Sequence, residues 1–336
     1  MVRLVVTVPA YNETKNIRKV IENIPRDCCD DVKILVLDDG SKDNTAEVAY
    51  EAGADLVVSH IYNLGLAITY RDSLEIATEK MGADIIVNID ADGQYDPKEI
   101  PKLIKPILNN EADIVLGSRF EGYIEYMPPA KRWGNRLATR VINRVTGQKF
   151  TDCQTGFRAI TRDVAFRINV TSNFTYTQES LINALHHNYK IVEVPVAFYK
   201  REGENRLFGS VWDYAKRGGA TLIRTYLYHR PLRFFFYLGS LIFAIGFIIG
   251  IRVFIHYLTT GMVTPYLPSA VLTAVLLIVG VQVIALGFLS DMVRTNQNLH
   301  EEILYKIKKS DSDKKQITTN KLDENYVEII DEYKKV

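Results

Sequence analysis

Apolar positions in the first 120 residues follow two alternating rhythms. Short runs rich in β-branched residues occur at 3–8 (RLVVTV), 33–37 (KILVL), 55–58 (DLVV), 84–89 (DIIVNI) and 112–116 (ADIVL). Between them, apolar residues recur at helical spacing over 13–24, 43–51, 66–80 and 97–109. The first kind of run fits strands and the second fits amphipathic helices. The last helix opens with Asp96-Pro97, an N-cap followed by proline at the first helical position. This alternation predicts an α/β domain with a mostly parallel sheet covered by helices on both faces.

The rhythm then changes. Residues 121–200 are less regular, with a basic helix at 131–146, a helix at 177–188 and a strand at 191–198. Residues 209–229 mix aromatic, aliphatic and basic positions at helical spacing, which reads as an interfacial amphipathic helix. Two stretches, 234–251 and 266–290, carry no charge at all. Each is comparable to the roughly 18–20 residues that cross a bilayer as a helix. Two in tandem, joined by a short loop, predict a membrane hairpin in preference to two buried core helices. The expected organisation is an α/β domain at 1–208, an interfacial helix at 209–230, a hairpin at 231–290 and a charged tail at 291–336. The spans fall at 232–257 and 266–290. Within the tail, 291–309 reads as a short amphipathic helix and about 310–336 as a solvated charged end.

Composition averages these parts away. The 336 residues are 47% apolar and 24% charged, with a net charge of +1. The mean hydropathy is −0.04. A near-neutral total argues against a generic nucleic-acid binder. Residues 301–336 nonetheless hold 17 charged residues among 36. Three cysteines, two of them adjacent (Cys28 and Cys29), make neither a disulfide framework nor a metal spacing. No signal peptide is read in MVRLVVTVPAYNE. Basic residues from Lys200 to Arg233 precede the first span and Arg294 follows the second, whereas the loop 258–265 has none. The positive-inside rule therefore places both termini and the α/β domain in the cytoplasm, on a two-span protein of the cell membrane. The sequons at Asn169 and Asn173 would then meet no glycosylation machinery.

In an open parallel sheet, ligands bind beyond the carboxyl ends of the strands. The unusual residues of this chain follow those ends: Pro9-Ala-Tyr-Asn-Glu13, Asp38-Asp39-Gly40-Ser41, Asp90-Ala-Asp92-Gly-Gln94 and Gly117-Ser-Arg119. Four distant segments should thus meet on one rim. Asp90 and Asp92 can hold one divalent cation through hard oxygen ligands, with Gln94 adding a ligand or a hydrogen bond. Asp38-Asp39-Gly40-Ser41 suits either a turn or a contact to a base or ribose. His186-His187 reads as a surface pair.

PAYNE, DDGSKDNT, NLGLAITYRDSL, DADGQYDP and GSRF, in this order, resemble the inverting family 2 glycosyltransferases with a GT-A fold. Within that family the chain looks like the polyprenyl- and dolichyl-phosphate sugar synthases. The likeness extends over residues 3–230, and FTYTQESL with IVEVPVAFYKREGENR is most similar to archaeal dolichyl-phosphate hexose synthases. It implies a GT-A nucleotide-sugar-binding domain. Pro9, Tyr11, Glu13 and Asp39 match nucleotide-binding positions. Asp90, Ala91 and Asp92 match contacts to the donor diphosphate and metal (Mg²⁺ or Mn²⁺), and Gln94 a polar position beside the metal. Arg119, Arg132 and Arg201 match basic positions for the acceptor phosphate and donor diphosphate. Asp92, Arg119 and Arg132 are the catalytic candidates. Two positions depart from the pattern: Asn205-Arg206 stands where Ser-Lys is frequent, and Ile68-Thr69 where small residues are frequent.

A phosphomonoester acceptor is already largely ionised near neutral pH, so its attack needs no general base. The site must instead bring two repelling phosphate groups together and neutralise the leaving group. Glu179 would otherwise be the acid to suspect as a base, with helix capping or arginine orientation as its alternative roles. The expected activity is transfer of one sugar, with inversion, from a nucleotide sugar to dolichyl or polyprenyl phosphate. A UDP-hexose such as UDP-glucose or UDP-N-acetylglucosamine is the preferred donor and GDP-mannose the second. The expected partners are donor, lipid phosphate and bilayer, without nucleic acid; a homo-oligomer through the hairpin or tail is left open. A processive polysaccharide synthase is disfavoured because Arg132-Trp133 lacks the preceding glutamine. An inactive membrane scaffold is disfavoured by intact Asp39, Asp90, Asp92, Arg119 and Arg132.

Overall fold

A computed structural model describes residues 1–168, 176–201 and 231–319. The chain divides into two compact units. The first holds residues up to 218 and those from 303 onward, and the second holds 219–302.

In the first unit, β1 (Arg3–Ala10), β2 (Asp31–Asp38), β3 (Leu56–Ser59), β4 (Ile85–Asn88) and β5 (Ile114–Ser118) alternate with helices. These are α1 (Ile17–Glu22), α2 (Thr45–Glu51), α3 (Leu66–Glu75) and α4 (Ile100–Leu108). A wider π turn at Ile76–Lys80 ends α3. A 3₁₀ turn at Pro97–Glu99 begins α4, and the Asp96 side chain accepts from the Lys98 amide, as an N-cap should. Then follow α5 (Pro129–Thr146), β6 (Arg158–Thr161), α6 (Arg162–Arg167), α7 (Thr177–His186) and β7 (Ile191–Pro195).

The seven strands lie in the order β3-β2-β1-β4-β6-β5-β7. All neighbours are parallel except β6, which runs antiparallel to both β4 and β5. Sequence periodicity missed β6 and α6: four residues carry too short a rhythm, and their place depends on pairing across the sheet. Every β1 residue after Arg3 is buried, because helices cover both faces. On one side Val6, Val8 and Val36 pack with Ile17, Val20 and Leu103. On the other Val5, Leu35 and Ile86 pack with Tyr70, Leu74, Val164 and Leu181.

The second unit contains α8 (Pro231–Thr260) and most of α9 (Leu267–Thr319), both long and apolar enough to cross a membrane. Their large side chains, including Leu241, Ile248, Val281 and Phe288, are exposed, which suits lipid contact and not a water-soluble core. Glycines draw the two helices together. A Cβ on Gly280 would lie 2.8 Å from the Phe243 Cβ, and one on Gly239 would lie 2.7 Å from the Gly280 carbonyl.

One boundary is corrected. The span expected at 266–290 and the tail helix expected at 291–309 are a single uninterrupted helix that runs on to Thr319, past the expected start of the solvated end at 310. Neither proline nor glycine lies between 288 and 319 to stop it. The interfacial helix expected at 209–230, the sequons, Asn205-Arg206 and residues 320–336 lie outside the described residues.

Candidate active site

The four expected segments do converge beyond the carboxyl ends of β1, β2, β4 and β5. Asp39, just after β2, is buried, and its carboxylate is fully engaged. Oδ1 faces His60 Nδ1 at 2.9 Å and accepts the Leu64 amide at 2.8 Å. Oδ2 accepts Asn63 Nδ2 and the Gly65 amide, both at 2.9 Å. Its four lone-pair directions thus hold the 60–65 loop against the rim. Gly40 permits that approach: it adopts φ +69°, and an added Cβ would lie 2.6 Å from the Tyr62 backbone. Asp38 binds Ser41 and is pushed upward in pKa by burial.

On the β1 loop, Pro9 is buried, Tyr11 is on the surface and Asn12 takes a positive φ. The Glu13 carboxylate accepts from Asn16 Nδ2 at 3.0 Å and pairs with Arg201. Arg201 Nη1 also lies 3.9 Å from Asp92 Oδ2. It therefore joins the β1 loop to the acidic pair from a segment almost 190 residues away.

Asp90 and Asp92 flank the buried Ala91. Asp92 Oδ1 accepts the Gln94 amide at 3.0 Å, and Gln94 Nε2 donates to the Tyr199 carbonyl at 3.3 Å. The Asp90 carboxylate accepts no hydrogen bond among the described residues. Burial first, and the neighbouring Asp92 charge second, push Asp90 well above the usual carboxylate range; burial also raises Asp92. Two close, desolvated carboxylates, that of Asp90 without a hydrogen bond, are a hard donor set that a small cation would relieve. No third His, Cys, Asp or Glu joins them among the described residues. The set therefore suits Mg²⁺ or Mn²⁺, which retain water and phosphate oxygens as their other ligands.

A wall of cations faces this pair. Arg119 is buried and bidentate on Asp152, with Nε to Oδ2 at 2.6 Å and Nη2 to Oδ1 at 2.8 Å. Asp152 is itself placed by Glu193 of β7, whose carboxylate accepts the Thr151 and Asp152 amides at 2.7 and 2.8 Å. Phe198 is a buried platform for two cations: Arg119 lies 5.3 Å and Lys131 5.7 Å from its ring centroid. Lys131 is the basic residue of α5 turned towards the acidic pair; desolvation, then repulsion from Arg119, lowers its pKa despite the attraction of Asp92 and Asp90. Arg132, one position on, is exposed, and its side chain has no partner among the described residues.

Lys131, Asp152, Glu193 and Phe198 therefore surround the candidate site, and sequence reasoning passed over them. KRW at the start of α5 announced basic character without the helix phase. Glu179 lies in the first turn of α7, and His186 is on the surface at its end.

Residues 5–167 match the model described as glycosyl transferase family 2, and residues 230–295 match the one described as the GtrB C-terminal hairpin. The chain is 32% identical over 210 residues to UDP-N-acetylglucosamine--dolichyl-phosphate N-acetylglucosaminyltransferase of Methanococcus voltae, covering 56% of this chain and 82% of the relative. It belongs to glycosyl transferase family 2. Similarity to the glycosyltransferase AglJ of Haloferax volcanii runs nearly end to end: 29% identity over 309 residues, 90% of this chain and 96% of the relative. Among solved structures, glucosyl-3-phosphoglycerate synthase of Mycobacterium tuberculosis, in complex with Mn²⁺, UDP and glucosyl-3-phosphoglycerate, superposes with a TM-score of 0.51. At 24% identity, covering 67% of this chain and 78% of that one, it shares the fold. The glycosyltransferase thus combines a GT-A α/β domain with a membrane-associating hairpin.

Proposed function

We propose that this glycosyltransferase moves one sugar, with inversion, from a nucleotide sugar to dolichyl or polyprenyl phosphate at the cytoplasmic face of the cell membrane. The observation that carries the reading is the wall of Lys131, Arg119 and Arg201 opposite the Asp90–Asp92 pair, in a chain that also bears an apolar hairpin. An acidic pair alone would serve many phosphate enzymes. A facing set of cations suits an acceptor phosphate that arrives already ionised and needs no general base.

In this mechanism Asp90 and Asp92 would hold Mg²⁺ or Mn²⁺, which when bound neutralises the leaving nucleoside diphosphate. Pro9, Tyr11, Glu13 and the Asp39-ordered loop shape the donor side, with Ala91 as the floor and Gln94 at the edge. Lys131 and Arg119 orient the acceptor phosphate in line with the anomeric carbon, and Arg132 meets it from the exposed face. Arg201, between Glu13 and Asp92, draws the donor diphosphate to the pair. In-line attack turns an α-linked donor into a β-linked lipid phosphate sugar. UDP-hexose is the preferred donor, with UDP-glucose or UDP-N-acetylglucosamine ahead of GDP-mannose; the name of the Methanococcus relative supports the N-acetylglucosamine case.

The test incubates the purified chain with dolichyl phosphate, Mg²⁺ or Mn²⁺ and a panel of labelled nucleotide sugars. A lipid-linked monosaccharide with one donor is expected, and it should disappear on Asp92→Asn. Failure to form any lipid-linked product with any donor overturns the proposal.

A further inference from the structure

Behind the acidic pair lies a buried cation that the sugar-transfer reading does not use. Arg158, at the start of β6, is 2% exposed and pairs across the ladder with Asn88 of β4. Its fork reaches neutral acceptors only: Nη2 donates to the Thr155 carbonyl at 2.6 Å, and Nη1 to Ser180 Oγ at 2.8 Å and the Thr177 carbonyl at 3.3 Å. Its guanidinium sits 5.4 Å from the Tyr176 ring centroid, and Nε has no partner. No carboxylate lies within ion-pair distance among the described residues. The Asp90 charge is felt by Arg158 without touching it; burying a cation with no carboxylate in direct contact is costly, and an apolar side chain of similar volume is often the more stable choice.

The segment that Arg158 grips explains its presence. Thr155 precedes Gly156, and a Cβ on Gly156 would lie 2.9 and 3.0 Å from the two Asp90 carboxylate oxygens and 3.0 Å from the Tyr176 hydroxyl. Only a bare Cα allows the backbone to come this close. The Gly156 carbonyl is held from the other side by Asn88 Nδ2 at 2.9 Å; the same nitrogen donates to the Tyr176 hydroxyl at 3.0 Å, and Thr7 bonds Asn88 Oδ1 at 3.2 Å. Gly156 is thus a ridge fixed on both flanks. Asp90 lies against it and has no hydrogen bond of its own to set its direction.

We propose that Arg158 is a positioning residue for Asp90, locking the Thr155–Gly156 ridge against which the Asp90 carboxylate is seated. The proposal rests on the reading of Asp90 and Asp92 as the metal-holding pair. Residues that orient a metal ligand without touching the metal commonly change affinity by roughly 10–100-fold when altered. The guanidinium fork is essential here, because a single-headed cation cannot hold the Thr155 loop and the first turn of α7 together.

The test titrates Mn²⁺ into the full-length chain in detergent and follows free Mn²⁺ by electron paramagnetic resonance, with thermal melting as the measure of folding. Arg158→Met and Gly156→Ala should each raise the Mn²⁺ Kd by about tenfold or more. Arg158→Lys, which keeps the charge without the fork, should raise it by roughly threefold or more. A purely structural arginine would lower the melting temperature and leave the Kd of the folded protein unchanged; that result for Arg158→Met overturns the proposal. If Arg158→Met does not fold, an unchanged Kd in Arg158→Lys overturns it instead. A wild-type chain with no Mn²⁺ site, or one indifferent to Asp92→Asn, removes the metal reading itself and this inference with it. A wild-type site lost on Asp92→Asn but untouched by the Arg158 variants removes this inference alone.

Discussion

The basic residues around the acidic pair differ in burial and in what already holds them, so their substitutions should differ too. Lys131 is desolvated, directed at Asp90 and Asp92, and backed by Phe198. A charge-assisted hydrogen bond to phosphate is worth about 1.5–3 kcal/mol. Lys131→Met should therefore raise the KM for dolichyl phosphate by roughly tenfold to hundredfold, while exposed Arg132→Met should raise it by about threefold or less. The lowered pKa adds a pH signature. Lys131 is charged below its pKa and neutral above it, so acceptor affinity should fall with rising pH before an ordinary lysine would titrate, and Lys131→Arg should remove that loss. Asp152 is a different case, because its role is to hold Arg119. Asp152→Asn leaves a buried guanidinium without its counter-charge, a change that costs about 3–5 kcal/mol. Thermal denaturation should register it, together with weaker acceptor binding.

At the scale of elements, close approach is bought with glycine in both units. Gly40 lets the 60–65 loop close onto Asp39, and Gly156 lets the loop before β6 reach Asp90. In the hairpin, Gly239 and Gly280 let α8 and α9 pack backbone to side chain without an intervening layer. Gly280→Leu would force its side chain into Phe243, and overpacking of this kind costs about 1–3 kcal/mol. A lower unfolding temperature in detergent is expected, with Gly280→Ala intermediate. Recognition of α8 and α9 from sequence was straightforward because twenty or so uncharged residues make a strong local signal. The continuation of α9 beyond 290 was not, because a switch from apolar to charged composition resembles a boundary when no helix-breaking residue is sought.

At the scale of the whole chain, residues of α9 from Ile303 onward belong to the first unit. Tyr305 donates to Asp163 Oδ1 at 2.5 Å, Lys309 lies 3.4 Å from the same oxygen, and Tyr189 donates to Oδ2 at 2.6 Å. Arg167 stacks 3.6 Å from the Tyr305 ring centroid. Partial burial works to raise the Asp163 pKa, but the two tyrosine hydroxyls and the Lys309 charge prevail and hold it below the usual value. A carboxylate with a depressed folded pKa stabilises fully above its ordinary value near 3.9 and loses that contribution as pH falls through the folded value. Hydrogen exchange at residues 303–310 should therefore accelerate selectively in acid, and Asp163→Asn should produce the same acceleration at neutral pH. Unchanged exchange in the variant would count against the contact.

Sequence by itself determined the α/β class, the strand ends on which the rim is built, the Asp90–Asp92 pair and the two long apolar helices. Each is a local property: a periodicity of two or 3.6, a short motif, or a run longer than a bilayer is thick. Tertiary structure alone decided which neighbours those residues would have. It inserted β6 antiparallel between β4 and β5, turned Lys131 and not Arg132 towards the acidic pair, and committed Asp39 to the 60–65 loop. It also set Arg119 on Asp152, Glu193 on the Thr151 and Asp152 amides, and Gly156 against Asp90. These contacts join segments tens of residues apart, and none has a periodic signature. They follow from strand pairing and helix phase, which exist only once the chain has folded.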